Sequence, residues 1–109
     1  MNYLPLPRKN KRKEASLDGP VLEWFQKNHP HSIIVEVKMT GGKLSDHQKK
    51  LVKKIARTRK FKYKFPDMGN RTPLDGISLY DVDVAVCWMN EDRTGKCIIN
   101  ETYERDIKV

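Results

Sequence analysis

Glu36 and Lys38 stand two residues apart in Ile33-Ile34-Val35-Glu36-Val37-Lys38-Met39, a run with the composition of a β-strand. Side chains at i and i+2 of a strand leave by the same face, so the carboxylate and the ammonium are neighbours. A carboxylate is the oxygen ligand that a hard cation such as Mg²⁺ takes. A lysine beside it can stabilise negative charge growing on a phosphate or on an attacking water. Ion pairing on a strand surface gives the same Glu-x-Lys spacing, so the pair gains weight only from the residues after it. Gly41-Gly42 breaks the strand, and Leu44-Ser45-Asp46-His47-Gln48 opens a helix. Ser45 is in the N-cap position and Gln48 stands where a capping box expects Glu or Gln. His47 reads as an exposed residue at the helix start. Further along, Pro66-Asp67 and Pro73-Leu74-Asp75-Gly76 supply two more carboxylates, each also of the kind a turn uses.

The elements that must position these groups follow from periodicity. Residues 1–16 read as a disordered basic arm, and 17–109 as a single domain. Asp18-Gly19-Pro20 opens a short helix with Val21, Leu22, Trp24 and Phe25 as its apolar surface, ended by His29-Pro30. In the strand from His31 to Met39, Ile33, Val35, Val37 and Met39 form the core face, and Ile34, Glu36 and Lys38 form the other. The helix from Ser45 to about Arg59 has an apolar stripe of Leu51, Val52, Ile55 and Ala56. Lys49, Lys50, Lys53, Lys54 and Arg57 cover the rest of it. Phe61–Phe65 alternates apolar with basic residues, as a half-exposed strand does. Leu74–Leu79, Val82–Met89 and Lys96–Tyr103 are further strands. This order predicts an α+β, or mixed α/β, domain in which one central mixed sheet of four to five strands is flanked by two helices.

Charge is distributed unevenly along these elements. The 109 residues carry a net charge of +8, and from Lys38 to Lys64 eleven Lys or Arg face a single acid, Asp46. From Asp81 onward seven acids oppose four bases. A clustered positive face favours polyanions, because each phosphate contact releases condensed counterions. Cys87 and Cys97 are too few for a disulfide framework and lack metal-ligand spacing, so they read as reduced core residues on neighbouring strands. No apolar run is long enough to span a membrane, and the basic N-terminal stretch has no apolar segment of the secretory kind. The expected location is the cytoplasm. Trp24 and Trp88 read as core residues rather than base-stacking platforms.

The segment Glu36-Val37-Lys38, the small-residue turn and Leu44-Ser45-x-x-Gln48 together resemble the PD-(D/E)XK nuclease superfamily, in particular its virus-type replication-repair branch. The stretch from Lys64 through Asp75 is similar to small phage and bacterial resolvase-like nucleases, Holliday junction resolvases among them. The resemblance implies a restriction-endonuclease-like core, with Glu36 as metal ligand, Lys38 as catalytic lysine and Gln48 as an orienting residue. It also implies Mg²⁺ or Mn²⁺ as cofactor, and it allows a homodimer. Members of the superfamily place a second acid on a strand before the Glu-x-Lys strand. Here the strand-borne candidate is Asp75, in a rearranged motif order, with Asp67, Glu23 and Asp18 as alternatives. The strand from Leu74 to Leu79 is accordingly expected to run beside the strand of Glu36. Three functions remain open on these residues. One is a metal-dependent nuclease acting on nucleic acid, DNA in preference to RNA. The others are a non-catalytic nucleic-acid binder using Lys49, Lys50, Lys53, Lys54 and Arg57, and a protein whose basic face docks on an acidic partner.

Overall fold

The computed structural model describes residues 3–5, 12–63 and 77–109. Strand β1 (Tyr3–Pro5) leads to helix α1 (Arg12–Asn28), strand β2 (Ile33–Met39) and helix α2 (Asp46–Thr58). Five more strands follow: β3 (Lys60–Tyr63), β4 (Ile77–Tyr80), β5 (Asp83–Met89), β6 (Thr94–Ile99) and β7 (Tyr103–Lys108). A five-stranded sheet has the order β1-β2-β5-β6-β7, parallel through β5 and antiparallel from β5 to β7. A separate antiparallel ribbon pairs β3 with β4. The α+β class, with a mixed sheet and two flanking helices, is therefore as the periodicity predicted.

Two cores, one on each face of the sheet, explain why β2 and β5 are buried along nearly their whole length. Leu17, Val21 and Phe25, spaced by four along α1, pack on Ile33, Val35, Val37, Ala85, Cys87 and Met89. Val52 and Ile55 of α2 pack on Ile34, Val84 and Val86 from the opposite side, together with Phe61 and Leu79 of the ribbon. The second face of β2 thus lies under α2 instead of facing solvent. Helix α2 begins with the expected capping box. The Gln48 amide N–H donates to Ser45 Oγ at 3.1 Å, and the Ser45 amide N–H donates to Gln48 Oε1 at 3.0 Å. It ends at Arg59, whose left-handed backbone (φ 59°) directs its N–H back to Ile55 O at 2.7 Å.

Four expectations differ from this architecture. The stretch 1–16 is not wholly an arm, because Tyr3–Pro5 pairs with Ile33–Val35 and α1 starts at Arg12. Pro20, expected in the first turn, is instead interior to α1. Its missing N–H removes one helical bond, but the Leu17–Val21–Phe25 stripe buried on the sheet carries the helix through it. The strand after Asp75 does not run beside β2: Ile77–Tyr80 pairs with β3, and the neighbours of β2 are β1 and β5. The near-continuous apolar run Val82–Met89 suits a strand covered on both faces, which a central parallel position requires. Finally, the single last strand is a hairpin, β6–β7, turned at Asn100 and Glu101 with positive φ (51° and 64°) and closed by Thr102 N–H to Ile99 O at 3.1 Å. Such a turn favours glycine at its second central position. Glu101 stands there, which is why the sequence carries no turn signal.

Candidate active site

Strand β2 places Glu36 and Lys38 toward α2, on the face that also carries Ile34. Both are buried, at 1% and 4% exposure, although a surface ion pair would need no burial at all. Their cross-strand neighbours on β5 are Val86 and Trp88. Glu36 and Lys38 lie in the C-terminal half of β2, on the sheet face against which α2 packs. Among the described residues β1 pairs with β2 over Ile33–Val35.

The turn after β2 closes tightly on its own strand end. A side chain at Gly42 would come to 3.0 Å of Met39 O, closer than an ordinary contact, and to an ordinary 3.7 and 3.9 Å from Cβ and Cδ of Lys38. Glycine therefore suits the close approach to the Met39 carbonyl. Trp88 fixes that arrangement across the strand, its indole Nε1–H donating to Gly42 O at 3.0 Å. Gly41 takes φ 89°, the left-handed region that suits glycine. Gln48 is buried on the sheet side of α2, and its Oε1 is engaged by the cap. Burial pushes the Cys87 thiol well up, the hydrogen bond and charge of Cys97 add to the effect, and Glu36 adds the remainder.

Of the other expected site residues, Asp75 and Asp67 lie outside the described residues. Glu23 and Asp18 belong to α1, on the opposite face of the sheet from Glu36, and Glu23 pairs there with Lys27 at 3.2 Å. Neither can share a ligand with Glu36 across the intervening strand layer. Among the described residues no group of three His, Cys, Asp or Glu side chains gathers as a metal site. Among the described residues, the donor identified for a divalent cation is the buried carboxylate of Glu36.

Lys49, Lys50, Lys53, Lys54 and Arg57 are all exposed on α2. At 100° per residue they fan over the side of the helix away from Gln48, Val52 and Ile55. On one flank Lys49 and Lys53 border a groove of about 290 Å³ with Val86, Trp88 and Ile98 in its walls and Glu101 beside them. On the other flank Lys54 adjoins the β3–β4 ribbon. No described helix is long and apolar enough to cross a membrane.

One cluster had no clear sign in the sequence. The Asp83 carboxylate, at the start of β5, accepts from Asn100 Nδ2 (2.9 Å) and Arg59 Nη2 and lies 2.6 Å from His29 Nε2. Arg59 also donates from Nε to Val82 O at 2.8 Å, and Asn100 Oδ1 accepts from Val84 N–H at 3.0 Å. Four segments far apart in the chain are joined at this point, at the opposite end of β2 from Lys38. Residues so distant leave no local spacing to read. Comparisons of the chain with protein-family models, with curated proteins and with solved structures returned no match.

Proposed function

We propose that the protein is a metal-dependent nuclease that cleaves phosphodiester bonds, in DNA in preference to RNA. The observation that carries this reading is the burial of Glu36 and Lys38 together, on the face of a central strand against which a helix with a lysine-rich outer surface packs. Taking two charges out of water costs several kcal/mol per ion. A fold that tolerates that cost on adjacent positions of its central strand has a use for both charges.

In this reading α2 holds the nucleic-acid backbone through Lys49, Lys50, Lys53, Lys54 and Arg57. Glu36, with Asp75 as the candidate second acid, would hold Mg²⁺ or Mn²⁺. When bound, the ion supplies Lewis acidity and lowers the pKa of a coordinated water. Lys38, on the same strand face as Glu36, would stabilise charge on the attacked phosphate. Gln48 keeps the first turn of α2 in place beside them. The site would act in a phage, a mobile element or its bacterial host, which is the setting the resemblance implies.

The test is cleavage of labelled DNA with Mg²⁺ or Mn²⁺, with and without chelator, together with Mn²⁺ binding by the free protein. Glu36→Gln should lose both metal binding and cleavage. Lys38→Ala should lose cleavage and keep metal binding, and both variants should still bind DNA. If both cut as well as the parent, the chemistry is elsewhere. A second reading, a non-catalytic DNA binder, is favoured by one contact: the Gln48 amide oxygen already serves the cap. That reading expects DNA binding with no metal dependence and no effect of Glu36→Gln. Docking on an acidic protein instead would leave duplex DNA unable to compete at physiological salt.

A further inference from the structure

The β3–β4 ribbon has two faces of opposite character. Phe61 and Leu79, one from each strand, are buried against Ile55 and Val82. Lys60, Lys62, Ser78 and Tyr80 alternate with them and are all exposed. Lys60 stands opposite Tyr80, and Lys62 opposite Ser78. Lys60 Nζ lies 5.7 Å from the centroid of the Tyr80 ring, which is nevertheless 65% exposed. Between this ribbon and the last turns of α2 runs an open groove of about 310 Å³, where Lys54 and Thr58 join it. Among the described residues three lysines and no carboxylate line it, in contrast to the groove on the other flank of α2, which includes Glu101.

Like charges gathered without an acid are relieved by an anion. A flat aromatic ring left in water beside them adds a second preference. A cationic groove that tracks a backbone, with an aromatic side chain on which a base can stack, is how single strands are held without sequence preference. Paired bases within a duplex already stack on one another and have no free face for the ring.

We infer that the β3–β4 ribbon is a second nucleic-acid contact and that it takes an unpaired strand. A base stacks on Tyr80 and the flanking phosphates lie against Lys54, Lys60 and Lys62. This rests on the nucleic-acid reading above and narrows it, because the substrate must then present single-stranded nucleotides next to the backbone held by α2.

The experiment is fluorescence anisotropy of the full chain with a labelled oligothymidylate and with a blunt duplex of equal length, at one salt concentration. Tyr80→Ala should weaken single-strand binding roughly tenfold and duplex binding about twofold or less, whereas Tyr80→Phe should keep both. Lys60→Ala with Lys62→Ala should lower the salt slope on the single strand by about 1.4, at ~0.7 for each phosphate no longer neutralised. Tyr80 is exposed, so an unchanged melting temperature will show that the variants are folded. Equal weakening on both probes, or none on either, overturns the inference. If the parent binds both probes and charge reversal at Lys50 and Lys53 abolishes this while Tyr80→Ala does nothing, only the ribbon contact fails. If the parent binds neither probe, the nucleic-acid reading itself fails and the ribbon contact with it.

Discussion

Asp83 ties together four segments that are distant in the chain. Burial alone would raise its pKa, but hydrogen bonds from Asn100 and His29 and the charges of Arg59 and His29 together hold the carboxyl below the ordinary range. A carboxyl whose folded value is depressed contributes stability above its unfolded value and loses it as pH falls through the folded one. Asp83→Asn should therefore cost about 2 kcal/mol near neutral pH, the scale of a hydrogen bond to a charged group. The deficit relative to the parent should shrink below about pH 4, where the unfolded carboxyl titrates. Urea midpoints of the two proteins from pH 7 downward measure it. Cys87 makes a contrasting case. It and Cys97 are fully buried, their sulfurs 2.6 Å apart, and the Cys87 thiol is held protonated by its surroundings. Only thiolate reacts. A thiol reagent should leave both cysteines unlabelled in the native protein and label them along the unfolding curve. Rapid native labelling would contradict this burial.

Among the elements, α2 combines two tasks that can be separated. Ser45 and Gln48 close its first turn reciprocally, and Ser45→Ala should cost about 1 kcal/mol by removing the acceptor for one orphan amide. Gln48→Glu keeps the capping box, since either residue serves at that position. Because Gln48 is buried, the added carboxylate should lower the melting temperature. Loss of cleavage well below that melting temperature then reports a role in chemistry apart from the cap. The β6–β7 hairpin offers a gain instead of a loss. Glu101 holds φ 64°, which a side chain with Cβ adopts at a cost. Glu101→Gly should stabilise the protein by roughly 0.5–1 kcal/mol after the entropy that glycine adds to the unfolded chain. A fall in melting temperature would mean that the Glu101 side chain does more at the edge of its groove than the backbone strain costs.

For the whole molecule, the order of the elements converts an uneven charge sequence into a directed field. The basic segment from Lys38 to Lys64 contains α2 and β3, which lie together on one side of the sheet. The acidic segment from Asp81 onward supplies β5, β6 and β7 of the sheet itself. Binding to DNA should accordingly fall by orders of magnitude between about 50 and 200 mM salt, as several released counterions demand. Reversing Lys50, Lys53 and Lys54 to Glu should abolish it while leaving the melting transition in place, because all three side chains are exposed. A flat salt response would remove the electrostatic basis of the proposed function.

Features set by neighbours in the chain were determined by the sequence alone. The Ser45–Gln48 cap, the Val52–Ile55 stripe beneath exposed lysines, the alternation in Lys60-Phe61-Lys62 and the breaks at Gly41-Gly42 all follow from local spacing. Cys87 and Cys97 could be placed on adjacent strands for the same reason, and they are directly paired. Tertiary structure alone decided which strands meet. Any apolar run can satisfy the hydrogen bonds of any other; the near-continuous apolar run of Val82–Met89 suits a central position, but its place beside β2 is set by the packing of both helices on the sheet. Tertiary packing also carried α1 past Pro20 and buried Glu36 and Lys38. Alternation shows that two side chains share a face but not what covers that face, and the α2 layer that covers this one is held there by long-range contacts.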